Sequence, residues 1–114
     1  MGHQQLRTVH ERAPVIELHT GAYCDARQME RRQHLDRIIA AAAHSAELGL
    51  ECHAGHGLTF DTVGPVAALP EVVELNIGHF LIGEAIFSGL ESAIKRMRAH
   101  MDTARAKAGA LKST

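Results

Sequence analysis

A chain of 114 residues fits one ordinary domain, and an apolar fraction of 46% is enough for a packed core, which argues against disorder. A formal net charge of -1, from 12 basic and 13 acidic residues scattered along the chain, argues against nucleic acid or an anionic membrane surface as the main partner. No apolar run approaches the ~18 residues of a membrane span. The polar start Met1-Gly2-His3-Gln4-Gln5 lacks a signal-peptide core, so a cytoplasmic protein with Cys24 and Cys52 reduced is expected. Nine histidines are the unusual feature, because several stand beside glycine at the ends of apolar runs.

Residues 1–12 carry no period and are expected to be an irregular lead-in. From Pro14 the pattern sharpens. Val15 to His19 is β-rich and stops at Thr20-Gly21, a turn signal. A helix is expected from about Asp25 to Leu48, with Leu35, Ile38, Ile39, Ala42 and Ala46 as its apolar stripe. Gly49 should end it, since glycine accepts the left-handed backbone at a helix C-terminus. Leu50 to Ala54 reads as a second strand, broken by Gly55-His56-Gly57. Asp61 is expected to cap a short helix over roughly Thr62 to Leu69, which Pro70 stops. Val72 to Ile77 is the third strand and closes on Gly78-His79; a helical piece from about Leu81 to Phe87 comes next. Ser88 and Glu91 have the spacing of a capping box, opening a last helix with Leu90, Ile94, Met97 and Met101 on its apolar face.

Strands that alternate with helices imply parallel pairing through right-handed crossovers. Three such strands covered on one side leave open edges and a bare face. A complete (β/α)8 barrel takes about 250 residues. The expected fold class is therefore α/β, close to half of a TIM barrel, with residues 13–108 as the half-barrel and 109–114 as a tail.

Side chains alternate along a strand, so each strand sorts into two faces. Glu17 and His19 oppose Ile16 and Leu18. Glu51 and His53 oppose Leu50, Cys52 and Ala54. Glu74 and Asn76 oppose Val73, Leu75 and Ile77. The apolar sets should meet the helices, which leaves a polar lumen lined by Glu17, His19, Glu51, His53, Glu74 and Asn76. Two readings of that lumen stand side by side: a cavity for a charged substrate, or glutamates paired with basic groups at the barrel bottom.

His56, flanked by glycines, would be displayed at the C-terminal edge of the second strand, where it can move a proton near neutral pH. Gly78 and His79 precede a short helix, and free amides at a helix start attract phosphate. Barrels commonly bind phosphate after their last two strands, beside such an extra helix. His53-x-x-His56 does not put both rings on one face of a strand, and the thiols lack zinc spacing, so no metal is expected. The glycine pattern is no dinucleotide fingerprint, and no cofactor is expected.

Three strings together resemble the pyridoxine 5′-phosphate synthase family: Val15 to Gly21, His53 to Leu58, and Glu74 to His79. The resemblance covers about Ala13 to Ala108 and implies the C-terminal half of a (β/α)8 barrel, in a cytoplasmic homo-octamer. It implies condensation of 3-amino-2-oxopropyl phosphate with 1-deoxy-D-xylulose 5-phosphate, giving pyridoxine 5′-phosphate, phosphate and water. On these motifs His56 matches the proton-donating histidine and Gly57 a backbone contact to the aminoketone phosphate. Gly78 and His79 match the phosphate-binding pair after the last strand. The family's N-terminal half supplies another catalytic histidine, a glutamate and the groups that hold the sugar phosphate. None of those motifs occurs here, so the expectation is a partial chain completed by an N-terminal half, or else an inactive phosphate-binding half-barrel from a truncated gene.

Overall fold

The three β-rich runs become strands β1 (Val15–His19), β2 (Glu51–Gly55) and β3 (Val72–Asn76) in a computed structural model that describes residues 14–113. They form one parallel sheet in the order β1-β2-β3. The helices between and after them are α1 (Gly21–Asp25), α2 (Gln28–Glu47), α3 (Val63–Ala67), α4 (Gly78–Ser88) and α5 (Leu90–Ser113). Strand and helix thus alternate as expected of part of a (β/α)8 barrel. The lead-in expected over 1–12 lies outside the described residues, and α5 runs on through the stretch expected as a tail.

The sheet has one covered face. Ile16, Leu18, Cys52, Ala54, Val72 and Leu75 pack there against Tyr23, Leu35, Ile38, Ala42 and Val66. Each large side chain fully buried in such a cluster contributes about 1.5–3 kcal/mol. A second cluster joins Val63 and Ala67 of α3 to Met97 of α5. That contact fastens the last helix to the sheet through α3.

Several local expectations change on contact with tertiary structure. The helix expected from about Asp25 starts at Gln28, after the unexpected short helix α1, because Ala26 and Arg27 are extended (ψ 156° and 165°). Tyr23 explains the break: it turns inward, 3% exposed, and its hydroxyl donates to the Thr62 carbonyl at 2.8 Å. The stripe of α2 is Leu35, Ile38, Ala42 and Ser45, while Ile39 and Ala46 lie toward solvent. Gly49 does end α2, at φ 73°. Its N–H donates to Ala46 O (3.0 Å) and that of Leu50 to Ser45 O (2.9 Å), a Schellman motif.

Thr62, not Asp61, holds the N-cap position of α3, and its Oγ1 accepts the Thr59 N–H at 2.9 Å. Pairing between β2 and β3 jumps from Cys52↔Val72 to His53↔Glu74. Val73 is therefore the extra residue of a bulge, and it is 65% exposed rather than set against the helices. No capping box forms at Ser88, which still belongs to α4 and donates back to Glu84 O at 3.2 Å. Gly89, at φ 84°, separates the helices, and Glu91 pairs with Lys95 instead. On α5 the buried positions are Ala93 and Met97; Leu90 and Ile94 stay exposed. The i, i+4 rhythm of the sequence spans two helix faces, and only one meets α3.

Candidate functional site

Parallel pairing brings the C-terminal ends of the strands to one edge and sorts the uncovered face into rows. Glu17, His53 and Glu74 are partners in one row, and His19, Gly55 and Asn76 in the row above. Below both, Glu51 pairs with Val15.

The lower residues satisfy one another. His53 Nε2 lies 2.6 Å from Glu51 Oε2, and His53 Nδ1 lies 3.2 Å from Glu74 Oε2. Both ring nitrogens are thereby occupied. Glu51 and His53 are on the expected face, with His53 beside Glu17 in its row, but both lie outside the cleft described next. Among the described residues no group of three or more His, Cys, Asp or Glu side chains could hold a metal ion.

The upper row opens into a cleft of about 440 Å³. Glu17, His19, His56, Gly57, Asn76, Gly78 and His79 line it, joined by Leu58, Thr59, Ile77 and Phe80. Gly55 lies between His19 and Asn76 in that row. A Cβ there would sit 2.8 Å from Asn76 O and 3.2 Å from Glu17 Oε1, so the missing side chain is what lets the Glu17 carboxylate rise from the row beneath. The buried Leu58 anchors the far end of the His56 loop in the core.

His56 has φ 90° and Gly57 φ 80°, two left-handed residues in succession that turn the chain sharply out of β2. Left-handed backbone costs a non-glycine residue about 1 kcal/mol or more, so His56 must be held. Its ring stacks on that of His19, with centroids 4.2 Å apart and planes at 28°. The Gly21 N–H lies 3.4 Å from His19 Nδ1, a weak hydrogen bond in which Nδ1 accepts.

On the opposite wall α4 starts at Gly78, directly after β3 and three residues earlier than expected. Ile77 at the N-cap offers no side-chain cap, so first-turn amides, including those of Gly78 and His79, have no partner within the helix. Nothing lies within 4 Å of where a Gly78 Cβ would be, so the helix start is uncrowded on that side. The cleft thus offers three imidazoles, one carboxylate and a helix start, a set suited to holding an anion and exchanging protons with it.

Behind the site, burial raises the Tyr23 hydroxyl above its ordinary pKa; Cys24 adds to the rise and Arg31 opposes it. Sequence reasoning missed Thr20, Gly21 and Thr59. Thr20-Gly21 reads only as a turn, because the partner of the Thr20 hydroxyl lies 36 residues away.

The model of the family described as pyridoxal phosphate biosynthesis protein PdxJ matches residues 2–103. The chain belongs to this family. Among curated relatives it is 71% identical over 93 residues to the pyridoxine 5′-phosphate synthase of Rhodospirillum rubrum, covering 81% of this chain and 37% of that protein. It is 65% identical over 97 residues to the enzyme of that name from Jannaschia sp., covering 82% and 39%. Against the Caulobacter sp. (strain K31) enzyme it is 56% identical over 105 residues, covering 86% and 41%. The chain therefore spans about two fifths of the length of these PdxJ-family relatives. Among the described residues no helix is long and apolar enough to cross a membrane.

Proposed function

We propose that the chain is the C-terminal part of a pyridoxine 5′-phosphate synthase. The whole enzyme would condense 3-amino-2-oxopropyl phosphate with 1-deoxy-D-xylulose 5-phosphate, releasing phosphate and water as the pyridine ring closes. In this reading the first turn of α4 receives the phosphate of the aminoketone through the amides of Gly78 and His79, with Gly57 opposite. His56 donates a proton to the departing oxygen. The observation that carries the reading is the cleft itself, in which an imidazole at the end of β2 faces a bare helix start at the end of β3. Phosphate at such a helix start is a recurrent solution in barrels.

Ring closure takes several proton transfers, and one acid does not perform them all. Turnover then needs the groups that the family's N-terminal half supplies, from a chain that completes the barrel, in a cytoplasmic homo-oligomer. Among the described residues β1 and β3 are the edge strands of the sheet, and completing strands would pair there. Two measurements test the proposal. Titration of the chain with a phosphate monoester, followed by NMR, should move the amides of Gly57, Gly78 and His79, and His79→Ala should weaken the effect. Pyridoxine 5′-phosphate formation should appear on co-expression with an N-terminal half and vanish with His56→Ala. Phosphate binding without turnover in the completed assembly would reduce the chain to an inactive phosphate-binding half-barrel. No binding at all would sink the reading.

A further inference from the structure

The His56 loop adopts a costly backbone, and the side chain that holds it belongs to another strand. Thr20, fully buried just past the end of β1, grips two consecutive carbonyls of that loop. Its N–H donates to Gly55 O at 2.8 Å, extending the β1–β2 ladder by one rung. Its hydroxyl donates to His56 O at 2.6 Å. The direction of the His56 carbonyl is set by the same left-handed turn that sends the imidazole back over β1.

Gly21 completes the arrangement from the other side. A Cβ at Gly21 would lie 2.8 Å from His19 Cε1 and 2.9 Å from His56 Cδ2, so the bare backbone of residue 21 is the surface against which both ring edges rest. The Cys24 thiol donates to the same His56 carbonyl at 3.7 Å, an S–H···O bond weaker than that of the hydroxyl.

We infer that Thr20 is the positioning residue for His56: its hydroxyl locks the left-handed loop and so keeps the two imidazoles stacked at the mouth of the cleft. The role rests on the reading of the cleft as a phosphate and proton-transfer site, but its first test needs no ligand. Thr20→Val keeps shape and removes the donor; Thr20→Ser keeps the donor.

The experiment follows the histidine Cε1–H signals of the whole chain by NMR, with a thermal melt of each variant and a titration with inorganic phosphate. Mutual ring currents should displace the His19 and His56 signals upfield in the parent protein. Thr20→Val should lose that displacement and bind inorganic phosphate ~3- to 10-fold more weakly, the share of one hydrogen bond, while Thr20→Ser keeps both. Displacement retained in Thr20→Val, or lost equally in Thr20→Ser, would overturn the inference, the second because it assigns the effect to the methyl group. If Thr20→Val does not fold, Thr20→Ser decides alone: intact signals support the role and lost signals overturn it. A parent chain that binds no phosphate defeats the functional reading while leaving the ring-current result to decide Thr20.

Discussion

The lower and upper rows of the uncovered face are built from the same kinds of residue two positions apart, yet they do opposite things with them. Below, His53 spends both ring nitrogens on Glu51 and Glu74. Above, His19 and His56 face each other ring to ring, and among the described residues no carboxylate is paired to either. The lower set is paired with itself. The upper set gathers donors around a space, with a glycine where the middle side chain of the row should be. A polar residue on a strand face therefore says little until its cross-strand partner is known.

The strongest way to break this division is through the core that supports the upper row. Leu58 is 1% exposed and follows the His56-Gly57 turn directly. Leu58→Ala should cost about 2–5 kcal/mol of stability, as buried leucine truncations do. Chemical denaturation measures it. In whatever fraction stays folded, the His19 and His56 signals should broaden or shift while those of His53 hold. A uniform change across all three would show that the rows are not separable.

Gly55→Ala tests the middle position of the upper row. The new methyl would meet the backbone of β3 at 2.8 Å, so the strands must part locally, at ~1–3 kcal/mol by analogy with overpacked cores. It would also push Glu17 out of the space it uses. Loss of inorganic phosphate binding together with a lowered melting temperature is the expected pair of results. Unchanged binding would mean that the cleft tolerates a side chain at residue 55.

His53→Ala sharpens the contrast from the other side. Glu51 and Glu74 are about half exposed, and exposed ion pairs contribute little, so stability should fall by only about 1 kcal/mol or less. Phosphate binding should stay within error of the parent. A large loss of binding would move His53 into the site and dissolve the distinction between the rows.

Much of this was legible in the residues alone, for physical reasons that differ by element. The faces of β1 and β2 follow from strict alternation, and the stop at Gly49 from its left-handed preference. The failures share a cause, which is that the deciding partner was distant in sequence. Val73 turns outward because the ladder slips by one residue against Cys52 and His53. Ile94 lies bare because α5 meets α3 along Met97, Met101 and Ala104. In the candidate site, His56 and His79 could be placed at strand ends from their glycines. The roles of Gly55 and Thr20 could not, since both depend on atoms of a neighbouring strand. Nor could alternation separate His53 from His19, which it treats as equivalent.

The smallest effect carries the comparison to the covered side of the sheet. There one buried titratable group is the hydroxyl of Tyr23, the one tyrosine of the chain, hydrogen-bonded to Thr62 O. Burial raises its pKa in the folded state above the ordinary value near 10. A raised folded-state value means that the folded protein holds this proton more tightly than the unfolded chain does. The stabilising contribution is therefore complete below about pH 10 and is lost as pH climbs through the folded-state value. Melting temperature followed from neutral into alkaline solution should fall more steeply for the parent than for Tyr23→Phe. The variant should start lower by roughly 1 kcal/mol, having given up the hydrogen bond to Thr62. Thiols and lysines titrate in both proteins, so the difference between the two curves isolates the tyrosine, and ultraviolet absorbance of the phenolate reports its ionisation directly. Parallel curves would mean that the covered side opens to solvent before Tyr23 ionises, and that the sheet's two faces differ less in permanence than their packing suggests.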